Sequence, residues 1–130
     1  MINKLISNKL VIIISSPSGA GKSSICKQLL EDCNHLKISI SDTTRQPRDN
    51  EVDGKDYNFI SIDKFKSRIK NNEYIEHARV FGHYYGSLDH NIRKLLESGF
   101  DVIFDIDWQG AQQLKKSYYP NILTIFIIPP

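Results

Sequence analysis

Cysteine is scarce in this chain of 130 residues, with Cys26 and Cys33 the only two. Both fall on one expected helix, where a separation of seven leaves the side chains two turns apart and unable to bridge. They read as reduced packing residues, and His35 alone would not complete a metal site around them. Long apolar runs are missing as well: none approaches the twenty or so residues of a membrane span, and residues 1–9 lack the apolar stretch of a signal peptide. A cytosolic location is expected. Charge of one sign is not in excess either, since 17 basic and 15 acidic side chains leave a net +2. Without a basic stripe or an acidic tail, neither nucleic acid nor a membrane surface is indicated as partner. There are no internal repeats and no low-complexity linker, and the length suits one domain with a single core.

What is present starts with the apolar run Leu10-Val11-Ile12-Ile13-Ile14, followed by Ser15 and then Ser16-Pro17-Ser18-Gly19-Ala20-Gly21-Lys22-Ser23-Ser24. Gly19 and Gly21 let the backbone curl until several N–H groups converge on phosphate oxygens, and a helix starting near Lys22 adds its positive end. Lys22 is then placed to reach the β and γ phosphates of a nucleoside triphosphate, and the Ser23 hydroxyl to reach magnesium. The strict pattern has Gly where this chain has Ser16. An ordinary glycine-rich turn is the competing reading, and the strand before and helix after are the context that favours a phosphate loop.

Helical periodicity follows in Ile25, Cys26, Leu29, Leu30 and Cys33, and Leu36 to Ile40 read as a short strand. Residues 41–56 are polar, rich in turn formers and too long for a plain connection, which marks them as functional. Ser61 is positioned to cap a helix from Ile62 to about Asn71 that buries Phe65 and Ile69. Tyr74 to Val80 and Tyr84-Tyr85 read as strands joined through Gly82. A helix over Leu88 to Ser98 stops at Gly99. A strand Val102 to Asp107, a helix Gln109 to Lys116 and a strand Ile122 to Ile128 complete the chain. Alternating helices and apolar strands give an α/β fold on a parallel sheet.

Asp105 and Asp107 are two apart, so both are expected on one face at the carboxyl end of their strand, where open α/β sheets bind ligands. Asp105 has the placement of an acid that holds magnesium through water opposite the phosphate loop. The alternative is a pair of strand-end aspartates that cap the next helix.

Four segments in order, the loop at 16–24, SDTTRQPRDNEVDGKDYNF at 41–59, YIEHARVFGHYYGS at 74–87 and DVIFDIDWQGA at 101–111, together resemble the guanylate kinase family. The resemblance implies a three-layer P-loop NTPase fold with a parallel core sheet, a core over 1–39 and 89–130, and a small inserted α+β subdomain over 40–88 that binds GMP. It implies transfer of the γ-phosphoryl group of ATP to GMP with Mg2+. Arg45, Arg48, Tyr57 and Tyr85 would clamp the GMP phosphate, while Ser41, Glu76, Ser87 and Asp107 would contact guanine. Forked guanidinium groups and phenol hydroxyls suit a dianionic phosphate. A carboxylate accepts the adjacent N1–H and 2-amino donors that guanine has and adenine lacks.

Lys22 and Arg45 are the expected catalytic residues, acting by charge and position, and no histidine base is called for. His77 stands where many family members carry Trp. Relatives continue for roughly a further third of their length beyond the point matching Pro130, a part that holds the lid and closing helices. A chain of these 130 residues is therefore expected to expose Ile122 to Ile128, to self-associate and to turn over slowly. A GMP-binding remnant without catalysis, a phosphopeptide-binding module and a kinase for another monophosphate are the other readings.

Overall fold

The computed structural model describes residues 8–16, 22–117 and 119–128. Its first sheet is parallel and four-stranded, in the order β2-β7-β1-β8, with β1 at Val11–Ser15, β2 at Leu36–Ile38, β7 at Asp101–Asp105 and β8 at Ile122–Phe126. Register pairs Val11 with Val102 and Ile122, so β1 is flanked on both sides. Its unbroken apolar run follows from that position, since a parallel strand inside such a sheet buries both faces. On one face Val11, Ile13, Val102 and Phe104 meet Ile92 and Leu96 of helix α3 (Asp89–Glu97) and Leu114 of helix α4 (Trp108–Lys115). On the other, Ile14 and Ile103 meet Cys26 and Leu29 of helix α1 (Lys22–Asp32). The result is the expected three-layer α/β arrangement.

A second four-stranded sheet, ordered β4-β3-β6-β5, consists of β3 (Asp42–Thr43), β4 (Asn58–Phe59), β5 (Tyr74–Val80) and β6 (His83–Leu88). β5 and β6 form an antiparallel hairpin whose turn residues Phe81 and Gly82 both have positive φ, 51° and 81°. That is the turn hand which matches strand twist. Helix α2 (Ile62–Lys70) covers one face of this sheet; Ser61 caps it by accepting from the Lys64 amide at 3.1 Å. Fully buried Phe65 stacks on Tyr74 and Tyr84, with centroids 4.5 and 5.1 Å away. Beneath it the buried Asp42 carboxylate accepts from Arg68, from Tyr74 Oη at 2.7 Å and from Asn58 Nδ2 at 3.2 Å. A single carboxylate thus ties β3, α2, β5 and β4 together.

Several expected boundaries move. The second strand ends at Ile38 and the last at Phe126. Helix α1 ends at Asp32, so Cys33 lies just beyond it. Helix α3 stops at a Schellman turn, where Gly99 (φ 99°) donates to the Leu96 carbonyl at 3.1 Å and Phe100 to that of Leu95 at 3.2 Å. The largest correction concerns the strand expected over Val102 to Asp107. It ends at Asp105, and Asp107 instead caps α4 with Oδ1 accepting from the Gly110 amide at 3.1 Å.

Candidate functional site

The two faces of the second sheet follow the strand period of two. On β5, His77 turns toward Phe65, whereas Glu76, Ala78 and Val80 line a cavity of about 240 Å³. Ser41, Tyr57 and Tyr85 add to its wall from the same subassembly, and Asp105, Ile106 and Asp107 close it from the carboxyl end of the first sheet. The cavity therefore lies between the two sheets. Asp105 and Asp107 reach it together although only Asp105 belongs to the strand; the sharp exit from β7 aims the second carboxylate, and the helix cap holds it there. The capping alternative set out above holds for Asp107, which also forms part of the cavity wall.

Glu76 is 3% exposed and Ser87 fully buried. The Ser87 hydroxyl donates to Glu76 Oε2 at 2.6 Å and lies 3.5 Å from the Ser41 hydroxyl. Burial pushes the Glu76 carboxyl up to about 7; the Asp107 charge adds to the rise and the Ser87 hydroxyl opposes it. A buried acid with room to accept on its cavity side is suited to a ligand that brings paired N–H donors.

Arg45 is not part of the cavity wall but lies beside it, behind Tyr57. Its guanidinium packs over the Tyr57 ring, 5.3 Å from the centroid, and donates from Nη1 and Nη2 to the two Glu51 oxygens, each at 2.9 Å. Glu51 also accepts from the Arg48 amide at 2.8 Å. The Arg45 bond, and behind it the Arg48 amide, hold the Glu51 carboxyl down at about 2. The sequence reading missed Glu51, because a partner six residues away in a loop follows no helical or strand period. Tyr57 and Tyr85 lie ring to ring at 5.9 Å, and burial raises the Tyr57 phenol above its ordinary value. Arg48 is exposed and does not line the cavity.

Of the expected phosphate loop, Ser16 is half-buried just past β1 and Ser24 is exposed on α1. Pro17, Ser18, Gly19, Ala20 and Gly21 fall outside the described residues, and the description of Lys22 and Ser23 extends to their helical backbone only. The strand before the loop and the helix after it are both present, and Asp105 stands in register with Ile14 on the neighbouring strand, one residue short of the end of β1. Among the described residues no cluster of three His, Cys, Asp or Glu side chains could hold a metal, and no helix is long and apolar enough to cross a membrane.

The profile of the family described as "Guanylate kinase" matches residues 8–130. This chain belongs to the guanylate kinase family. It is 52% identical over 121 residues to the guanylate kinase of Rickettsia prowazekii (strain Madrid E), a match covering 93% of this chain and 61% of the relative. Against that of Paramagnetospirillum magneticum (strain ATCC 700264 / AMB-1) the identity is 46%, over 93% of this chain and 56% of the relative. The crystal structure of guanylate kinase from Anaplasma phagocytophilum superposes with a TM-score of 0.81 at 35% identity, covering 98% of this chain and 64% of that one. The chain thus spans about three-fifths of the length of these guanylate kinases.

Proposed function

We propose that this chain carries the acceptor site and the donor loop of an ATP:GMP phosphotransferase that forms GDP and ADP in the cytoplasm. The observation that carries the reading is the cavity between the two sheets, whose wall holds the buried carboxylate of Glu76 and the phenols Tyr57 and Tyr85, with Arg45 packed beside it over the Tyr57 ring. Guanine would lie against Glu76, Ser87, Ser41 and Asp107, its N1–H and 2-amino groups donating to the carboxylates. Its phosphate would lie against Arg45, Tyr57 and Tyr85, with Arg48 reaching in from the loop surface. Residues 40–88 serve as the acceptor subdomain, and residues 1–39 and 89–130 as the core. Glu51 keeps the Arg45 fork oriented before the phosphate arrives.

The donor phosphates would be bound by residues 16–24, with Lys22 at the transferred group. Mg2+ fits the residues present: it is commonly held by one or two carboxylates together with substrate phosphates and water rather than by an all-protein cage. Asp105, beside the loop, and Ser23 would hold it, and it would neutralise charge that develops on the phosphates. Everything else asked of the chain is positioning and exclusion of water. The deciding experiment is acceptor-dependent ADP release with GMP and with AMP. Release with GMP alone is expected; equal release with both acceptors would point to another monophosphate, and none would leave a binding module.

A further inference from the structure

β5 is an edge strand, paired with β6 on one side only. Its other edge presents the peptide groups of alternate residues, and unpaired groups there would weaken the placement of everything β5 carries. Helix α4 meets that edge. Gln113 Oε1 accepts from the His77 amide at 2.9 Å and Gln113 Nε2 donates to the His77 carbonyl at 2.7 Å. One turn earlier, Gln109 Nε2 approaches the Arg79 carbonyl at 3.5 Å and donates to Asp107 Oδ2 at 3.0 Å. The spacings agree: four helical residues rise about 6 Å and two strand residues about 6.8 Å, so glutamines at i and i+4 meet strand positions two apart. Gln113 thus does for β5 what a neighbouring strand would do.

Gly110 lies between them, and its missing side chain matters. A Cβ there would stand 2.2 Å from Glu76 Oε1 and 3.2 Å from both Glu76 Cδ and Ile106 Cδ1. No real Cβ tolerates such an approach, so Glu76 occupies its present place only because residue 110 is glycine. The same residue donates its amide to Asp107. One turn of α4 therefore sets two of the three carboxylates of the cavity, Glu76 and Asp107.

The geometry points to Gln113 and Gly110 as positioning residues for base selection, holding β5 on α4 so that Glu76 and Asp107 face the ligand at a fixed separation. This rests on the nucleotide reading above. Loss of the clamp lets the two carboxylates drift apart, which affects the purine edge and leaves the phosphate end alone. The comparison of GMP with IMP isolates that edge, because IMP lacks the 2-amino donor.

The test measures GMP and IMP binding by calorimetry on the 130-residue chain, on Gln113→Met, which keeps the volume but cannot bond His77, and on Gly110→Ala. Hydrogen exchange of the His77 amide is followed alongside. In Gln113→Met that amide should exchange faster, and in both variants the GMP-to-IMP affinity ratio should fall by about three- to tenfold, the worth of one misplaced hydrogen bond. A purely structural role would lower thermal stability and weaken both ligands equally. An unchanged ratio in Gln113→Met with faster exchange at His77 overturns the proposal. Absence of GMP binding by the unsubstituted chain overturns the nucleotide reading and this inference with it.

Discussion

Glu76 shows how one buried group links stability to recognition. Its folded value of about 7 lies above the ordinary 4.5, so the folded chain keeps a proton that the unfolded chain releases. Its contribution is complete below about pH 4.5 and is lost as pH climbs through 7, by on the order of 3 kcal/mol. Ligand binding in the proposed function would run the other way, because only the ionised carboxylate would accept from both guanine donors. GMP affinity should therefore rise between about pH 6 and 8 and then level, with Glu76→Gln showing a flatter profile; matching profiles in calorimetric titrations would remove Glu76 from the site. Beside the cavity, where Arg45 packs over Tyr57, Arg45→Ala should weaken GMP by about 1.5–3 kcal/mol, as expected for lost bonds to a charged group. Guanosine, which has no phosphate, should bind the variant and the parent alike.

Among the elements, α2 and the sheet beneath it depend on a polar centre under an aromatic stack. Asp42 is 1% exposed and satisfies Arg68, Tyr74 and Asn58 at once. Replacing it with Ala leaves a partly buried guanidinium and a phenol without their acceptor, so a loss of about 2–4 kcal/mol in urea unfolding is expected. Wild-type stability in Asp42→Ala would show that water takes over the acceptor role. Gly86 makes the same region intolerant of bulk, since a Cβ there would meet Tyr74 at 2.9 Å and Phe65 at 3.0 Å, both ring atoms held by stacking.

At the scale of the described molecule, the proposed division between a donor side and an acceptor side gives a separable prediction. Lys22→Ala should reduce any phosphoryl transfer by orders of magnitude yet leave GMP binding nearly intact, since in the proposed function the lysine would serve the transferred group and not the base. Parallel losses in binding and rate would mean that the two sides are not independent. The described sheet also has an exposed margin: β8 lies at its edge, and Leu123 and Phe126 are 46% and 57% exposed. A strand edge of that composition promotes pairing between chains. Light scattering on the 130-residue chain should detect self-association that Phe126→Lys diminishes.

Local patterns in the chain were enough to establish the layered α/β class, the capped helix after Ser61, the strand that ends at Ser15 and the helix that begins at Lys22, because each depends on short-range periodicity or on hydroxyl chemistry. The motif segments likewise named residues of the cavity wall, Ser41, Tyr57, Glu76 and Tyr85 among them. Their mutual arrangement was not legible there. The loop pairing of Arg45 with Glu51, the Gln113 clamp on His77 and the contact of Gly110 with Glu76 all join groups with no periodic relation in the chain. The Gln113 clamp and the Gly110 contact arise only when α4 packs against the second sheet, and the burial of Glu76 there raises its affinity for a proton.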